Sequence, residues 1–151
     1  MIRSFASTDL DRILAIEGQA FPKSPYHEST FLYLCWLYPE TFWVYVGPAK
    51  DRGKEEVWGY LIFSKEGHLI SMAVHPQYRR RGVGETLIKK AIEMFSLKRM
   101  WAEVRRSNHG ALAFYQKTEF KIVGVISNYY GDEDALIVQW PPSSQVLYSE
   151  L

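Results

Sequence analysis

Residues Tyr78–Ile88 read YRRRGVGETLI and place three consecutive arginines directly before a Gly-x-Gly that opens a predicted helix. The first four backbone N–H groups of a helix lack internal partners, and the helix dipole adds roughly half a positive charge at that end. Gly82 and Gly84 carry no Cβ, so a ligand can approach the backbone closely, and the arginines raise the local positive potential. The stretch therefore predicts a pyrophosphate site, although glycine at a helix start also serves simply to relieve a tight turn.

Two common phosphate-binding motifs do not fit this stretch. A Walker A loop needs a Lys-Ser/Thr pair after its last glycine, whereas Gly84 is followed by Glu85 and Thr86. The dinucleotide fingerprint needs a third glycine at position 87, which is Leu87, and a strand that leads directly into the turn. An NTPase and a dinucleotide-binding enzyme are therefore both disfavoured.

The sequence around this stretch predicts blocks of helix and strand. Before it, Ser7 or Thr8 is a candidate N-cap for a first helix, and two prolines separate that helix from a second. Three runs rich in β-branched and aromatic residues follow, and their short connections predict antiparallel strands. The predicted segments are helices STDLDRILAIEGQAF and ESTFLYLCWLY, strands TFWVYV, EVWGYLIF and HLISMAV, a helix from Gly82 to Phe95, strand MWAEV, helix NHGALAFYQK, and strands FKIVGVI and DALIVQW.

The composition indicates a folded chain with one domain. Its 151 residues are 47% hydrophobic, which is too apolar for disorder, and no stretch approaches the roughly 20 apolar residues of a membrane span. Eighteen Lys and Arg residues against seventeen Asp and Glu give a net charge of +1, which argues against a nucleic-acid-binding protein. We therefore expect a single domain over 1–151, with 141–151 as a C-terminal tail, and neither a nucleic acid nor a membrane as partner.

Neither a disulfide framework nor a metal site is expected. Cys35 is the only cysteine, so no disulfide pair and no thiolate cluster can form within the chain. The histidines are scattered without ligand-like pairing and are interpreted as structural: His27, His68, His75 and His109. The N-terminus has no basic segment followed by an apolar run and a cleavage site, so we expect the protein in the cytoplasm.

Four segments, in this order along the chain, together resemble one enzyme family. AVHPQYRRRGVGETLIKKAI is similar to motif A of the GNAT superfamily of acetyl-CoA-dependent N-acetyltransferases, with Arg79, Gly82 and Gly84 in the defining places. WAEVRRSNHGALAFYQKTEFKIVGV resembles its motif B. AFPKSPYHESTF and NYYGDEDALIV resemble the substrate loop and the closing Tyr-Tyr segment of the RimI-like branch, which acetylates protein N-termini. The resemblance implies a three-layer α/β/α fold of the α+β class, in which about four helices flank a mixed, mostly antiparallel, seven-stranded sheet splayed at its centre.

The family implies acetyl-CoA as a co-substrate and no metal. By resemblance, the pyrophosphate lies on the backbone N–H groups from Arg81 to Gly84. The pantetheine arm lies along the strand before the arginines, where an N–H stabilises the oxyanion. The implied cofactor-binding residues are Ala73, Val74, Arg79, Arg80, Arg81, Gly82, Val83, Gly84, Asn108 and Tyr115.

Two residues match the catalytic positions of the RimI-like branch. Glu103 would take the proton of the attacking amine, directly or through water, and Tyr115 would protonate the departing thiolate. Each also has a structural interpretation: Glu103 as an outward strand carboxylate, and Tyr115 as a core aromatic residue of an amphipathic helix. Asn108 could equally be only the N-cap of that helix.

The acceptor is most simply the N-terminal α-amine of a protein or peptide. Aromatic residues could form the walls of its groove, although core packing would also explain them: Phe21, Tyr26, Tyr33, Tyr129 and Tyr130. A lysine side chain or a polyamine is the alternative acceptor, because Asp132, Glu133 and Asp134 offer the carboxylates that a polyamine needs, unless they form only a solvated turn. A CoA-binding module without catalysis is a third possibility. We expect a monomer or a homodimer.

Two departures from the family pattern bear on detail. The family usually has Leu-Gly before the Phe of motif B, whereas this chain has Thr118 and Glu119, so another residue must make the turn. The PKSPY segment carries no acidic residue of the kind that some relatives use to select an initial methionine, which leaves the preferred N-terminal sequence open.

Overall fold

The computed structural model describes residues 1–51 and 53–142, and within them it contains seven β-strands and four α-helices. The predicted α+β class is therefore confirmed, while the predicted tail lies outside the described residues from position 143 onward. The elements are β1 (Ile2–Ser4), α1 (Leu10–Ala20), α2 (Glu28–Leu37), β2 (Phe42–Pro48), β3 (Glu55–Phe63), β4 (Leu69–Val74), α3 (Val83–Phe95), β5 (Met100–Arg105), α4 (His109–Lys117), β6 (Lys121–Ile126) and β7 (Ala135–Trp140).

The chain divides into two compact units. The first comprises Met1–Lys65 and Leu69–Ser96, and the second comprises Glu66–His68 and the chain from Leu97 onward. The first unit holds an antiparallel sheet of order β1-β2-β3-β4, and the second holds an antiparallel sheet of order β5-β7-β6. We predicted a mixed, mostly antiparallel sheet of seven strands, splayed at its centre. The seven strands and their antiparallel pairing are confirmed, and their hydrogen bonds form two separate sheets. Parallel pairing within the described residues is confined to one isolated bridge, between His68 and Trp101.

Helices α1 and α2 cover one face of the first unit's sheet. Alternate residues of a strand point to the same face, so the strands and helices can share one apolar layer. Phe31 of α2 meets Tyr60 of β3 edge to face, with their ring centroids 5.7 Å apart. Burial of each such side chain contributes about 1.5–3 kcal/mol. The layer is formed mainly by Ile13, Ile16, Phe31, Leu34, Phe42, Val44, Tyr60 and Ile62.

Helix α3 covers the opposite face of the same sheet. Phe95 near its end lies 5.6 Å from the Phe63 ring and 6.3 Å from the Trp43 ring, measured between centroids. Trp43 lies between two residues whose side chains face α1 and α2, as the two-residue repeat of a strand requires. The first unit is therefore a three-layer α/β/α arrangement.

The start of α1 differs from the prediction. Ser7–Asp9 form a short 3-10 turn, and α1 begins at Leu10, so the prediction of Ser7 or Thr8 as its N-cap was wrong. The Asp9 carboxylate accepts a hydrogen bond from the Ala6 N–H at 2.8 Å and pairs with Arg3 at 2.8 Å. Asp9 is the last residue of this turn, and its hydrogen bond with Ala6 stabilises the 3-10 turn in place of an α-helix that would start at Ser7.

The second unit places α4 before the hairpin of β6 and β7. Asn108 caps α4, because its side-chain oxygen accepts a hydrogen bond from the Ala111 N–H at 3.1 Å. At the other end, Glu119 has a φ of 72°, so it adopts the left-handed conformation that glycine usually provides in the family. The departure at Thr118 and Glu119 thus leaves the turn intact but puts a side chain in an unfavourable backbone conformation.

Candidate active site

The glycine loop of the first unit leads into the N-terminus of α3. Gly82 is the N-cap residue, with a φ of 79°, and it has no side chain that could cap the helix. Thr86, in the first turn of α3, donates two hydrogen bonds to the Gly82 carbonyl, one from its N–H and one from its hydroxyl. The N–H groups of Val83 and Gly84 therefore start a helix that no described side chain caps, an arrangement that suits an anionic ligand.

The three arginines before Gly82 are exposed, and two of them have defined contacts within the unit. Arg79 donates from Nε to the Val74 carbonyl at 3.1 Å and so ties the loop back to β4. Arg81 places its guanidinium 5.6 Å from the Trp58 ring and 5.5 Å from the Tyr78 ring. Arg80 has a φ of 66° and, with Gly82, gives the loop two left-handed residues around Arg81.

Strand β4 is at the edge of its sheet, so one side of its backbone pairs with no other strand of that sheet. The His75 N–H donates to the Trp58 carbonyl of β3 at 2.7 Å. Because backbone groups alternate in direction along an antiparallel strand, those of Val74 point to the open side and those of Ala73 point to β3. This geometry favours Val74 over Ala73 as a backbone contact for a pantetheine arm. The loop and the edge together fit a long ligand with a pyrophosphate.

In the second unit, Glu103 of β5 is held by His68. The His68 Nε2 lies 3.0 Å and 2.9 Å from the two carboxylate oxygens. The imidazole also stacks on Trp101, with centroids 5.2 Å apart and planes 5° from parallel. The Glu103 side chain is 17% exposed, so it is a half-buried carboxylate with a specific partner rather than a solvated one.

Sequence reasoning missed His68, which we interpreted as structural without a partner. It lies 35 residues from Glu103 in the chain, and no spacing rule connects the two. Gly67 fixes the turn before it: the φ of Gly67 is 106°, and a Cβ there would lie 2.1 Å from the Arg99 carbonyl oxygen. The one available signal was the Gly-His pair immediately before a strand, which is weak.

Tyr115 of α4 is buried at 6% exposure. Burial raises the pKa of its phenol strongly, and the neighbouring Tyr130 and Glu103 raise that pKa further. The phenol therefore stays protonated across the neutral range and has a proton to donate. Its ring packs on Phe120 at 5.1 Å, so the core role that we considered as the alternative is present as well.

The aromatic residues predicted for the acceptor groove fall into separate groups. In the first unit, Phe21 and Tyr26 pack partly buried against the core of α1 and α2. Tyr33 is 58% exposed and stacks instead on Trp36, so it does not join them in that core.

In the second unit, Tyr129 and Tyr130 are in edge-to-face contact at 4.9 Å. The Tyr130 hydroxyl donates to the Glu103 carbonyl at 3.4 Å, and its ring lies under the Arg105 guanidinium. Tyr130 thus contacts the residue proposed as the base, whereas Tyr129 is half exposed beside it.

The acidic turn before β7 forms ion pairs with two arginines of the same unit. Arg105 pairs with Asp132 and with Glu133, each at 2.8 Å, and Arg106 pairs with Asp134 at 3.5 Å. The hydrogen bond from Arg105 lowers the pKa of Asp132. The two arginines offset two of the three negative charges, which leaves one net negative charge there for a polycation.

Two other features, a metal-binding cluster and a membrane-spanning helix, are absent from the described residues. In residues 1–51 and 53–142, no group of three or more His, Cys, Asp or Glu side chains is arranged to hold a metal ion. In the same residues, no helix has the length and apolar character needed to cross a membrane.

Comparison with known proteins identifies the family. Residues 10–120 match the Acetyltransferase (GNAT) family, so the chain belongs to that family and is an acetyltransferase. The chain is 33% identical to a protein of Sulfurisphaera tokodaii named N-alpha-acetyltransferase, over 93% of this chain and 92% of that protein.

Two crystal structures show the same fold. Ard1 from Thermoplasma volcanium is 28% identical, with a TM-score of 0.76 over 92% of this chain and 95% of its own. The ribosomal protein bS18-alanine N-acetyltransferase from Escherichia coli is 29% identical, with a TM-score of 0.71 over 98% of this chain and 97% of its own. The expected GNAT fold and the resemblance to the RimI-like branch are thereby confirmed.

Proposed function

We propose that this protein transfers an acetyl group from acetyl-CoA to the N-terminal α-amine of a protein or peptide. The observation that carries the proposal is the Glu103 carboxylate held through both oxygens by His68. An α-amine has a pKa near 8 and is largely protonated at neutral pH, so a base must remove its proton before it can attack. Glu103 is placed by His68 in one orientation for that task, and a positioned base typically contributes ~10²–10⁴-fold.

Acetyl-CoA supplies the acetyl group as a thioester. The backbone from Arg81 to Gly84 would hold its pyrophosphate, since these residues form the uncapped start of α3. Arg79 and Arg80 would add positive charge, and the open edge of β4 at Val74 would receive the pantetheine arm.

The second unit supplies the groups that move protons. Glu103 would accept the amine proton, and His68 would hold the carboxylate in place through the hydrogen bonds between them. Tyr115 would donate a proton to the departing thiolate, since its buried phenol is protonated at neutral pH. The Asn108 side-chain oxygen caps α4. We propose that the NH2 group of the same side chain contacts the pantetheine.

The choice of acceptor rests on two supports. The relatives named above act, by their names, on α-amines and on an alanine of a ribosomal protein. The acidic turn that would favour a polyamine is engaged with Arg105 and Arg106, so the main argument for that alternative is weakened. A peptide N-terminus needs a groove for its first side chains, for which we propose Phe21, Tyr26, Tyr33, Tyr129 and Tyr130.

The wider assignment follows the family. We propose that both units belong to one acetyltransferase domain, because the family match runs from residue 10 to residue 120 and includes parts of both. We also propose a cytoplasmic monomer or homodimer that needs no metal ion and binds no nucleic acid and no membrane, since nascent protein N-termini and acetyl-CoA are both available in the cytoplasm.

The test is an acetylation assay with separated acceptors. Purified protein and acetyl-CoA are incubated with peptides of varied first residue, with peptides whose N-termini are blocked but whose lysines are free, and with a polyamine. CoA release and product mass are followed together. We expect acetylation of the free N-termini alone. Reaction of the blocked peptides or of the polyamine in their place would contradict the proposal.

A further inference from the structure

A ring stack lies at the beginning of the glycine loop, and no step of the proposed chemistry uses it. Trp58 of β3 and Tyr78 are stacked face to face, with centroids 4.2 Å apart and planes 3° from parallel. The Arg81 guanidinium lies 5.6 Å from one ring and 5.5 Å from the other. We call Trp58, Tyr78 and Arg81 the aromatic clamp. It joins β3 to the first and last residues of the segment 78–81, which directly precedes Gly82.

Hydrogen bonds fix the Tyr78 side of the aromatic clamp. The Tyr78 hydroxyl donates to the Glu56 carboxylate of β3, and Glu56 pairs with Arg12 of α1 at 3.6 Å. Arg12 in turn donates from Nε to the Val57 carbonyl at 2.9 Å. Tyr78 is only 5% exposed, so its ring and hydroxyl are both held within the unit.

The Trp58 side is fixed by the backbone of β2. A Cβ added to Gly47 would lie 2.4 Å from the Trp58 indole, so the ring occupies the space that any other residue at position 47 would fill. The Trp58 carbonyl also accepts the His75 N–H at 2.7 Å. The indole is therefore held from two sides: it packs against Gly47 on one side and contacts Tyr78 and Arg81 on the other.

The position of Arg81 links the aromatic clamp to the loop backbone. Arg81 lies between Arg80 and Gly82, whose φ values of 66° and 79° place both in the left-handed region. A non-glycine residue in that region is strained, so the loop needs external contacts to keep its shape. A loop that is already ordered does not have to lose conformational entropy when the ligand binds, so this cost is not subtracted from the binding free energy.

We propose that Trp58 is a positioning residue for CoA binding, which acts through Tyr78 and Arg81 to hold the glycine loop in its binding conformation. The inference rests on the role of the loop as the cofactor site, but it does not depend on which amine is acetylated. Its consequence is specific: loss of the indole should weaken CoA binding and leave the acid–base groups of the second unit unaffected.

The experiment measures CoA and acetyl-CoA binding to purified protein by isothermal titration calorimetry. Trp58→Leu should raise the Kd for CoA by ~10-fold, the scale of one aromatic stack with one cation–π contact. Trp58→Phe should restore most of the affinity because it keeps a ring over Tyr78. Gly47→Ala should reproduce the loss from the opposite side, because its Cβ displaces the indole without removing it.

Trp36→Leu is the matched control. Trp36 is 74% exposed on α2 and contacts the ring of Tyr33, so the same chemical change there should leave CoA affinity unchanged. Circular dichroism and thermal unfolding of every variant show whether the protein is folded. If Trp58→Leu does not fold, the Gly47→Ala and Trp58→Phe pair gives the same comparison.

Steady-state kinetics separate positioning from a general structural effect. Trp58→Leu should raise KM for acetyl-CoA and keep kcat within about 2-fold of the wild type at saturation. An unchanged Kd for CoA, an equal loss in Trp36→Leu, or a fall in kcat with KM unchanged would overturn the proposal. A wild type that binds no CoA would overturn the cofactor site and this inference together, whereas one that binds CoA but acetylates no free N-terminus would contradict only the proposed acceptor.

Discussion

Among single residues, Glu103 and His68 concern the reaction most directly, and their separate contributions can be measured. Glu103→Gln should lower kcat by ~10²–10⁴-fold, because the amide cannot accept the amine proton. His68→Gln should lower kcat by about 10-fold, because Glu103 loses the ring that orients its carboxylate. KM for acetyl-CoA should change little in either variant. Initial rates at saturating acetyl-CoA check both expectations.

The matched histidine for this comparison is His109. It is exposed at the start of α4, so His109→Gln should keep wild-type kcat. If His68→Gln and His109→Gln give the same rates, His68 has no part in the reaction and its contact with Glu103 is only structural.

Glu119 offers a second test on a single residue. Its φ of 72° places a side chain in the left-handed region, which costs roughly 1–2 kcal/mol for a residue with a Cβ. Glu119→Gly should therefore raise the free energy of unfolding by about 1 kcal/mol, less the extra freedom that glycine gives the unfolded chain. Urea unfolding measures the change. Glu119→Ala is the control, because it removes the carboxylate but keeps the Cβ and should give no such gain.

For helix α4, the question is what Asn108 contributes. Its side chain caps α4 at the Ala111 N–H, so Asn108→Ala should cost about 1 kcal/mol of stability, within a range of roughly 0.5–2 kcal/mol. Asn108→Ser should recover most of that loss, since serine is also a good N-cap. Thermal unfolding and KM for acetyl-CoA are measured in parallel. A raised KM in Asn108→Ser, with stability recovered, would indicate that the amide also contacts the cofactor.

The predicted elements largely match the observed ones because their signals are local. Apolar spacing located α1 to α4, and runs of β-branched and aromatic residues located β2 to β7. Two features were too short for such patterns: β1 has three residues, and the 3-10 turn at Ser7–Asp9 depends on one carboxylate. The strand patterns alone do not predict the division into two sheets, because they do not specify which neighbour each edge pairs with; only the family resemblance implied a splay at the centre.

The first unit is also stabilised by one buried ionisable group that joins several elements. Glu17 of α1 is 2% exposed and accepts hydrogen bonds from the Tyr60 hydroxyl of β3 and from the Tyr26 N–H at 2.9 Å. Tyr60 in turn contacts the Ser71 hydroxyl of β4 at 2.8 Å. Burial raises the pKa of Glu17, although the bonds from Tyr60 and Tyr26 offset part of that rise.

This raised pKa predicts how stability depends on pH. The folded protein holds the Glu17 proton more tightly than the unfolded chain does, so the folded state binds more protons between the ordinary value of 4.5 and the raised value. The contribution of Glu17 to the free energy of unfolding should therefore be greatest below pH 4.5 and should decrease as pH rises through that window. The slope can reach about 1.4 kcal/mol per pH unit.

Glu17→Gln isolates this contribution, because glutamine has the same shape and does not titrate. Urea unfolding of both proteins from pH 4 to pH 7 should show the stability of the wild type falling relative to the variant as pH rises. A difference that stays constant across this range would show that Glu17 titrates alike in the folded and unfolded chain.

The sequence by itself determined the family, the helix and strand content, the glycine loop and the candidate base and acid. Each of these depends on residues close together in the chain, so spacing and residue type carry the information. The arginines and glycines from Arg79 to Gly84 form one local segment, and Glu103 and Tyr115 each belong to a recognisable motif.

Only the tertiary structure decided which residues contact one another across long separations. His68 and Glu103 are 35 residues apart, Asp132 and Glu133 are 27 and 28 residues from Arg105, and Trp58 of β3 stacks on Tyr78, which lies in a 3-10 turn after β4. Such pairs form only after the sheets have brought distant segments together, and many partners are compatible with one sequence pattern. From the sequence we therefore considered Asp132 and Glu133 as possible polyamine ligands and predicted no partner for His68. In the folded protein Asp132 and Glu133 pair with Arg105, and His68 contacts Glu103.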